Sequence, residues 1–175
     1  MKKQILYAGI LVAFFSLVFF SCQKEISGPQ QPQEEFATTI GTANNPTFNL
    51  EVILRGEGSR FGHIKFRQDV DPAKIIVLDT WVRNLEPNHE YLLQRAVDAP
   101  NVVDGNCTST SWLTLGKGLT PQSILTDDNG TGSEELWRDV SMVASGTTFD
   151  IHFRVVDATS MAVVLSSDCY QYVVR

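Results

Sequence analysis

The sequence predicts an all-β protein: an antiparallel β-sandwich of about eight or nine strands carrying one disulfide. Three observations lead there. Apolar residues recur every second position along most of the chain from Thr47 onward. No segment carries a convincing helical period. Two cysteines remain once the one near the N-terminus is assigned elsewhere.

The alternation is plain in several runs. Phe48, Leu50, Val52 and Leu54 alternate with Asn49, Glu51 and Arg55. Ile64 and Phe66 alternate with His63, Lys65 and Arg67. Phe149, Ile151, Phe153 and Val155 alternate with Asp150, His152 and Arg154. A period of two puts one face on a core and the other in water. Lys74–Leu85 is apolar on both faces, as a central strand would be. Further strands are expected near Tyr91–Arg95, Trp112–Leu115, Ser123–Thr126, Glu135–Val140 and Val163–Val173. A short helix over 133–140 is the weaker reading of that segment. Gly56-Glu57-Gly58, Asp71-Pro72, Asn129-Gly130 and Ser145-Gly146 supply the turns, with a type I′ hairpin expected at Asn129-Gly130.

The N-terminus reads as an address. Lys2 and Lys3 precede an apolar run from Ile5 to Phe20 that ends in Ser21-Cys22. A basic start and a short apolar core fit a secretory signal better than a structural helix. Phe19-Phe20-Ser21-Cys22 resembles the lipobox of bacterial lipoproteins, which implies cleavage after residue 21 and a lipid on Cys22. Phe19 stands where that family usually has Leu. A cleaved leader with an incidental cysteine, or an uncleaved anchor, are the competing readings. By the same resemblance, Gln23 in place of Asp favours the outer membrane, on its periplasmic or surface-facing side, and Lys24-Glu25 weakly echoes a surface-export tag.

The expected organisation is a signal peptide over 1–21, a lipidated N-terminus and tether over 22–45, and the folded domain over 46–175. The stretch 23–40 is polar, rich in Gln, Glu and Pro, and too poor in apolar residues to fold. The whole chain has 14 basic and 20 acidic residues, net −6; losing Lys2 and Lys3 leaves 12 against 20, net −8. An acidic exported domain disfavours nucleic acid as a partner, because the phosphate backbone would repel it.

Leu85-Glu86-Pro87-Asn88-His89-Glu90-Tyr91 has the Leu-x-Pro-x-x-x-Tyr spacing of a tyrosine corner. There a Tyr hydroxyl ties back to the backbone where the chain passes between strands, which points to an immunoglobulin-like Greek-key sandwich. With Cys22 lipidated, Cys107 and Cys169 have one intramolecular pairing available, and an exported protein meets oxidising conditions.

Several short words resemble copper–zinc superoxide dismutases. Gly62-His63-Ile64-Lys65-Phe66-Arg67-Gln68 is similar to that family's Gly-x-Val-x-Phe-x-Gln strand. Leu85-x-Pro87 opens an analogous turn, Cys107-Thr108-Ser109 echoes its Cys-Thr-Ser, and Thr126-Asp127-Asp128-Asn129-Gly130 resembles a later hairpin. The resemblance implies a Greek-key fold. Its metal chemistry does not carry over: the copper His-x-His would fall on Leu92 and Gln94, and 95–121 contains no histidine. The chain's histidines are His63, His89 and His152, and those in alternating strands are expected on the solvent side.

No nucleophile motif, zinc-protease motif or phosphate loop occurs. Asp127–Gly132 has the oxygens of a calcium loop, but without flanking helices it reads as a hairpin. Asn106-Cys107-Thr108 and Asn129-Gly130-Thr131 match glycosylation triplets that a bacterial lipoprotein would not use. The long segment Gln94–Ser111 is the candidate recognition loop. Arg95, Asp104 and Asn106, with Asp98 in the same loop and Trp112 just after it, combine the polar and aromatic groups that sugars use. The competing reading makes Trp112 a core residue and the loop a long connection, and Trp81 and Trp137 are expected to be structural on the same grounds. The expectation is thus a non-enzymatic, lipid-anchored outer-membrane lipoprotein without cofactor or metal. Its partners would be the membrane, through Cys22, and a protein or glycan at the cell surface. A carbohydrate-binding lipoprotein using the loop 94–112 is the first alternative. A metal-dependent enzyme of the dismutase class is the second, with its ligands missing.

Overall fold

The computed structural model describes residues Phe48–Arg175. The expected leader, the expected lipidation site Cys22 and the expected tether lie outside the described residues. The strands in chain order are β1 (Phe48–Arg55), β2 (Phe61–Gln68), β3 (Ile75–Arg83), β4 (Glu90–Val97), β5 (Leu113–Thr114), β6 (Gly116–Lys117), β7 (Thr120–Pro121), β8 (Ser123–Leu125), β9 (Gly132–Asp139), β10 (Thr148–Asp157), β11 (Val163–Ser167) and β12 (Tyr170–Val173). The described residues contain no helix, so 132–139 is a strand.

The strands do not form two separate sheets. One hydrogen-bonded path runs β5-β4-β10-β11-β1-β2-β3-β9-β6-β7, with β12 on β10 and β8 on β4. A bridge between Thr126 and Gly132 links the β8 and β9 ends. The path β9-β8-β4 therefore returns to β10, and the sheet curls into a barrel-like ring. Pairing is antiparallel except at β6 and β9, which run parallel at Lys117 and Trp137. The expected purely antiparallel sandwich is corrected to a mixed, barrel-like sheet.

Inside the ring, the alternation does what the sequence predicts. Val52, Leu54, Ile64, Phe66, Leu78, Leu93, Leu136, Phe153, Val155 and Leu165 are buried together. Phe48, Phe66, Phe153 and Tyr172 form an aromatic cluster in edge-on contacts, the Phe66 and Tyr172 centroids lying 4.9 Å apart. The Tyr172 hydroxyl donates to Oε1 of the buried Gln68 (2.6 Å), which also accepts the Arg175 amide (2.9 Å). A buried polar residue thereby fastens the segment Tyr172–Arg175.

β3 is central, flanked by β2 and β9, but it is not buried on both faces. Ile76, Leu78, Thr80 and Val82 face the core; Ile75, Val77, Asp79 and Trp81 are half-buried on the outside. Trp81 lies on that outer face beside Phe61 and Arg83, and Trp137 is exposed, so neither belongs to the core.

The tyrosine corner is present. The Glu86 amide donates to the Tyr91 hydroxyl at 3.0 Å. The corner is stitched to the 126–130 hairpin: Thr126 Oγ1 donates to the Glu86 carbonyl (2.6 Å) and the Leu85 amide to the Gly130 carbonyl (3.1 Å). The turn type there differs from expectation. Type I′ needs two positive φ angles, but in this hairpin Gly130 alone is left-handed (φ 70°). The Gly130 amide instead closes a longer loop onto the Asp127 carbonyl at 3.0 Å, and Asp127 Oδ1 accepts the amides of Asn129 and Thr131. These bonds make the acidic stretch a hairpin tip.

Candidate functional site

β4 ends at Val97 and the chain does not resume a strand until Leu113. A segment this long with no ladder must satisfy its backbone groups in other ways. Two aspartates do much of it. Asp98 accepts the Thr108 amide and hydroxyl (2.9 and 3.0 Å) and the Ser109 amide (2.7 Å), and those donors hold its carboxyl below the usual carboxylate range. Asp150, fully buried in β10, accepts the amides of Asp104 (2.8 Å) and Gly105 (2.9 Å).

The disulfide between Cys107 and Cys169 is formed, with Cα atoms 5.4 Å apart, and ties the loop to the chain just before β12. His152 Nε2 donates to the Ser109 carbonyl at 3.0 Å. The loop is therefore pinned by Asp98, by Asp150, by the disulfide and by His152. Neither aspartate's role is evident from sequence, since a strand-end Asp and an outer-face Asp in an alternating strand look like ordinary polar positions.

Trp112 is half-buried on the outer face of β10. The Arg154 guanidinium lies 4.0 Å from its ring centroid and the His152 ring 4.6 Å away. Arg154 Nε also donates to Gln94 Oε1 (2.8 Å), and Gln94 Nε2 donates to Thr114 Oγ1 (3.0 Å). Gln94, at the position where the resemblance would put a copper ligand, is thus committed to this covering layer. Of the histidines, His152 is half-buried rather than solvent-facing; His63 meets Glu51, and His89 meets Asp157.

Asp104 and Asn106 are both exposed and face each other locally: Asp104 Oδ1 accepts the Asn106 amide at 2.9 Å. Arg95 stands apart from them. It neighbours Gln94 in a strand whose side chains alternate, so it points to the opposite face of β4 from the Trp112 layer. There it borders an apolar cavity of about 90 Å³ together with Arg138 of β9. The four residues proposed from sequence do not form one site.

Among the described residues, no three of His, Cys, Asp and Glu gather closely enough to hold a metal ion. Compared with known proteins, the chain matches no family model, no curated protein and no solved structure.

Proposed function

We propose that this chain is a non-enzymatic, lipid-anchored outer-membrane lipoprotein whose immunoglobulin-like Greek-key domain presents the loop 98–112 to a protein partner. The observation that carries this reading is the loop itself: a long, mostly exposed segment held by independent ties to a barrel-like scaffold. Such bracing lowers the ordering cost of recognition. The Greek-key reading is supported by the path β3-β9-β8-β4: the chain crosses from β3 to β4 and returns through β8 and β9 to lie beside β3. Anchoring rests on the lipobox-like Phe19–Cys22.

Two measurements test the proposal. Cys22→Ala should move the protein from the detergent phase to the aqueous phase; unchanged partitioning refutes the lipid anchor. A photo-crosslinker at the exposed Thr110 should give a discrete adduct on cells, and the same probe at Glu57, in the β1–β2 turn, should not. Equal adducts, or none, refute the loop as the recognition surface.

The carbohydrate alternative has less support, because Arg154 and His152 occupy the Trp112 ring and Arg95 lies elsewhere. Saturable glycan binding that is lost in Trp112→Ala would replace the proposal. So would stoichiometric copper or zinc in the purified protein, in favour of the enzyme alternative.

A further inference from the structure

The ring of strands is closed unevenly. β8 spans only Ser123–Leu125 and pairs with the first residues of β4, Glu90–Leu92. Beyond Leu92, β4 turns to β5, at Gln94 and Arg95, while the far end of β9 turns to β6 at Trp137. No ladder joins β4 to β9 at that end. The gap opens into the core as a cavity of about 90 Å³ whose walls include Phe66, Leu115, Val143, Phe149 and Phe153.

Arg95 and Arg138 border this cavity, and with Val140 and Val143 they also border an adjoining surface groove of about 500 Å³. The two arginines therefore flank the mouth. Among the described residues no carboxylate is within ion-pair distance of either. Arg138 Nη1 donates to the Gly118 carbonyl (3.1 Å), and Asp139, the next residue in sequence, is engaged with the Ser141 amide (2.7 Å). Burial, and then the neighbouring Arg138, push the Arg95 guanidinium down from its ordinary value. Two like charges at the lip of an apolar hole are costly unless an anion joins them.

We propose that this mouth binds a short aliphatic carboxylate, its carboxyl group on Arg95 and Arg138 and its tail in the cavity. Guanidinium and carboxylate are geometrically matched, and a single negative charge is cheaper to desolvate here than a dianion. A benzene-binding protein cavity measures roughly 150 Å³, so this one takes a tail on the order of three to five carbons. The site lies on the other face of β4 from the recognition loop and does not depend on it.

The test is calorimetric titration of the purified full-length protein, in buffer free of carboxylates, with sodium pentanoate, 1-pentanol and sodium acetate. Pentanoate should bind saturably at one site, and each of the others about tenfold more weakly or worse, since one lacks the charge and the other the tail. Arg138→Met should lower pentanoate affinity about tenfold while leaving the urea midpoint close to wild type. Equal affinity for pentanol and pentanoate in the wild-type protein overturns the proposal without any variant. So does an unchanged affinity in Arg138→Met, or no saturation up to about 20 mM.

Discussion

A Cβ atom at Gly130 would stand 2.1 Å from the carbonyl oxygen of Leu85. The hairpin tip and the tyrosine corner thus touch backbone to backbone, and Gly130 also holds a left-handed φ of 70°. Gly130→Ala should destabilise the domain by about 2–4 kcal/mol, from the unfavourable φ and the forced separation of the two turns. Urea denaturation of the variant checks this; a loss under about 1 kcal/mol would show that the joint gives way easily.

The disulfide should matter in proportion to the loop it closes. Cys107 and Cys169 are 62 residues apart, for which chain entropy gives about 4 kcal/mol. The double variant Cys107→Ala/Cys169→Ala should unfold at distinctly lower urea. Amides of 98–112 should also lose hydrogen-exchange protection before those of β1–β3, because only noncovalent ties, from Asp98, Asp150, His152 and Asn101 to Thr148, would then brace the loop.

Asp157 makes stability depend on acid. The Ser160 amide, above all, with the Ser160 hydroxyl, His89 and the Thr159 amide, lowers its pKa to about 2. An unfolded Asp titrates near about 3.9. The folded value is the depressed one, so the contribution is complete above about pH 4 and fades as pH falls through about 2. Asp157→Asn should be less stable than wild type at pH 7, and the difference should shrink toward zero near pH 2. Urea midpoints at those two pH values measure it; a constant gap would refute the assignment.

Trp112 packs on Arg154, which in turn holds Gln94. Removing the ring in Trp112→Ala should cost about 1–3 kcal/mol, from lost burial and a lost cation–π contact. Trp112→Phe should recover part of it. The check is again the urea midpoint, compared across the two substitutions. Indifference to both would mean that the ring merely rests on the surface.

Most strands were legible because period-two alternation is a direct record of a one-sided core: Phe48–Leu54 are buried residue by residue as the pattern implies, and Ile151, Phe153 and Val155 likewise, whereas Asp150, on the outer side of the same strand, is buried by the loop that covers it. The Leu85–Tyr91 corner was legible because its spacing encodes one hydrogen bond. The β6–β7 hairpin was missed, since two-residue strands made of Gly, Lys, Thr and Pro carry no period. Val163–Val173 looked like one strand but breaks at Asp168-Cys169, where the disulfide and the Ser167 hydroxyl bond to the Asp168 carbonyl intervene. Arg95 was the instructive error. It shares the parity of Tyr91 and Leu93, so the alternation already assigned it to the inner face. The partnership with Arg138 joins residues far apart in the chain and left no local trace.

The pairing of β1 with β11 has a further consequence. Leu54 sits opposite Ser167, and the Ile53 amide donates to the Tyr170 hydroxyl at 3.0 Å, across 117 positions of sequence. Among the described strands, the first is completed by the last two. A nascent chain that has not yet reached Val163–Val173 would leave Leu54 and Arg55 unpaired on that flank and Phe48 without Tyr172, so native closure waits for that segment. Such non-local assembly is slow. Loss of Val163–Val173 would therefore leave β1 held by β2 alone, without the β11 pairing of Leu54 and Arg55.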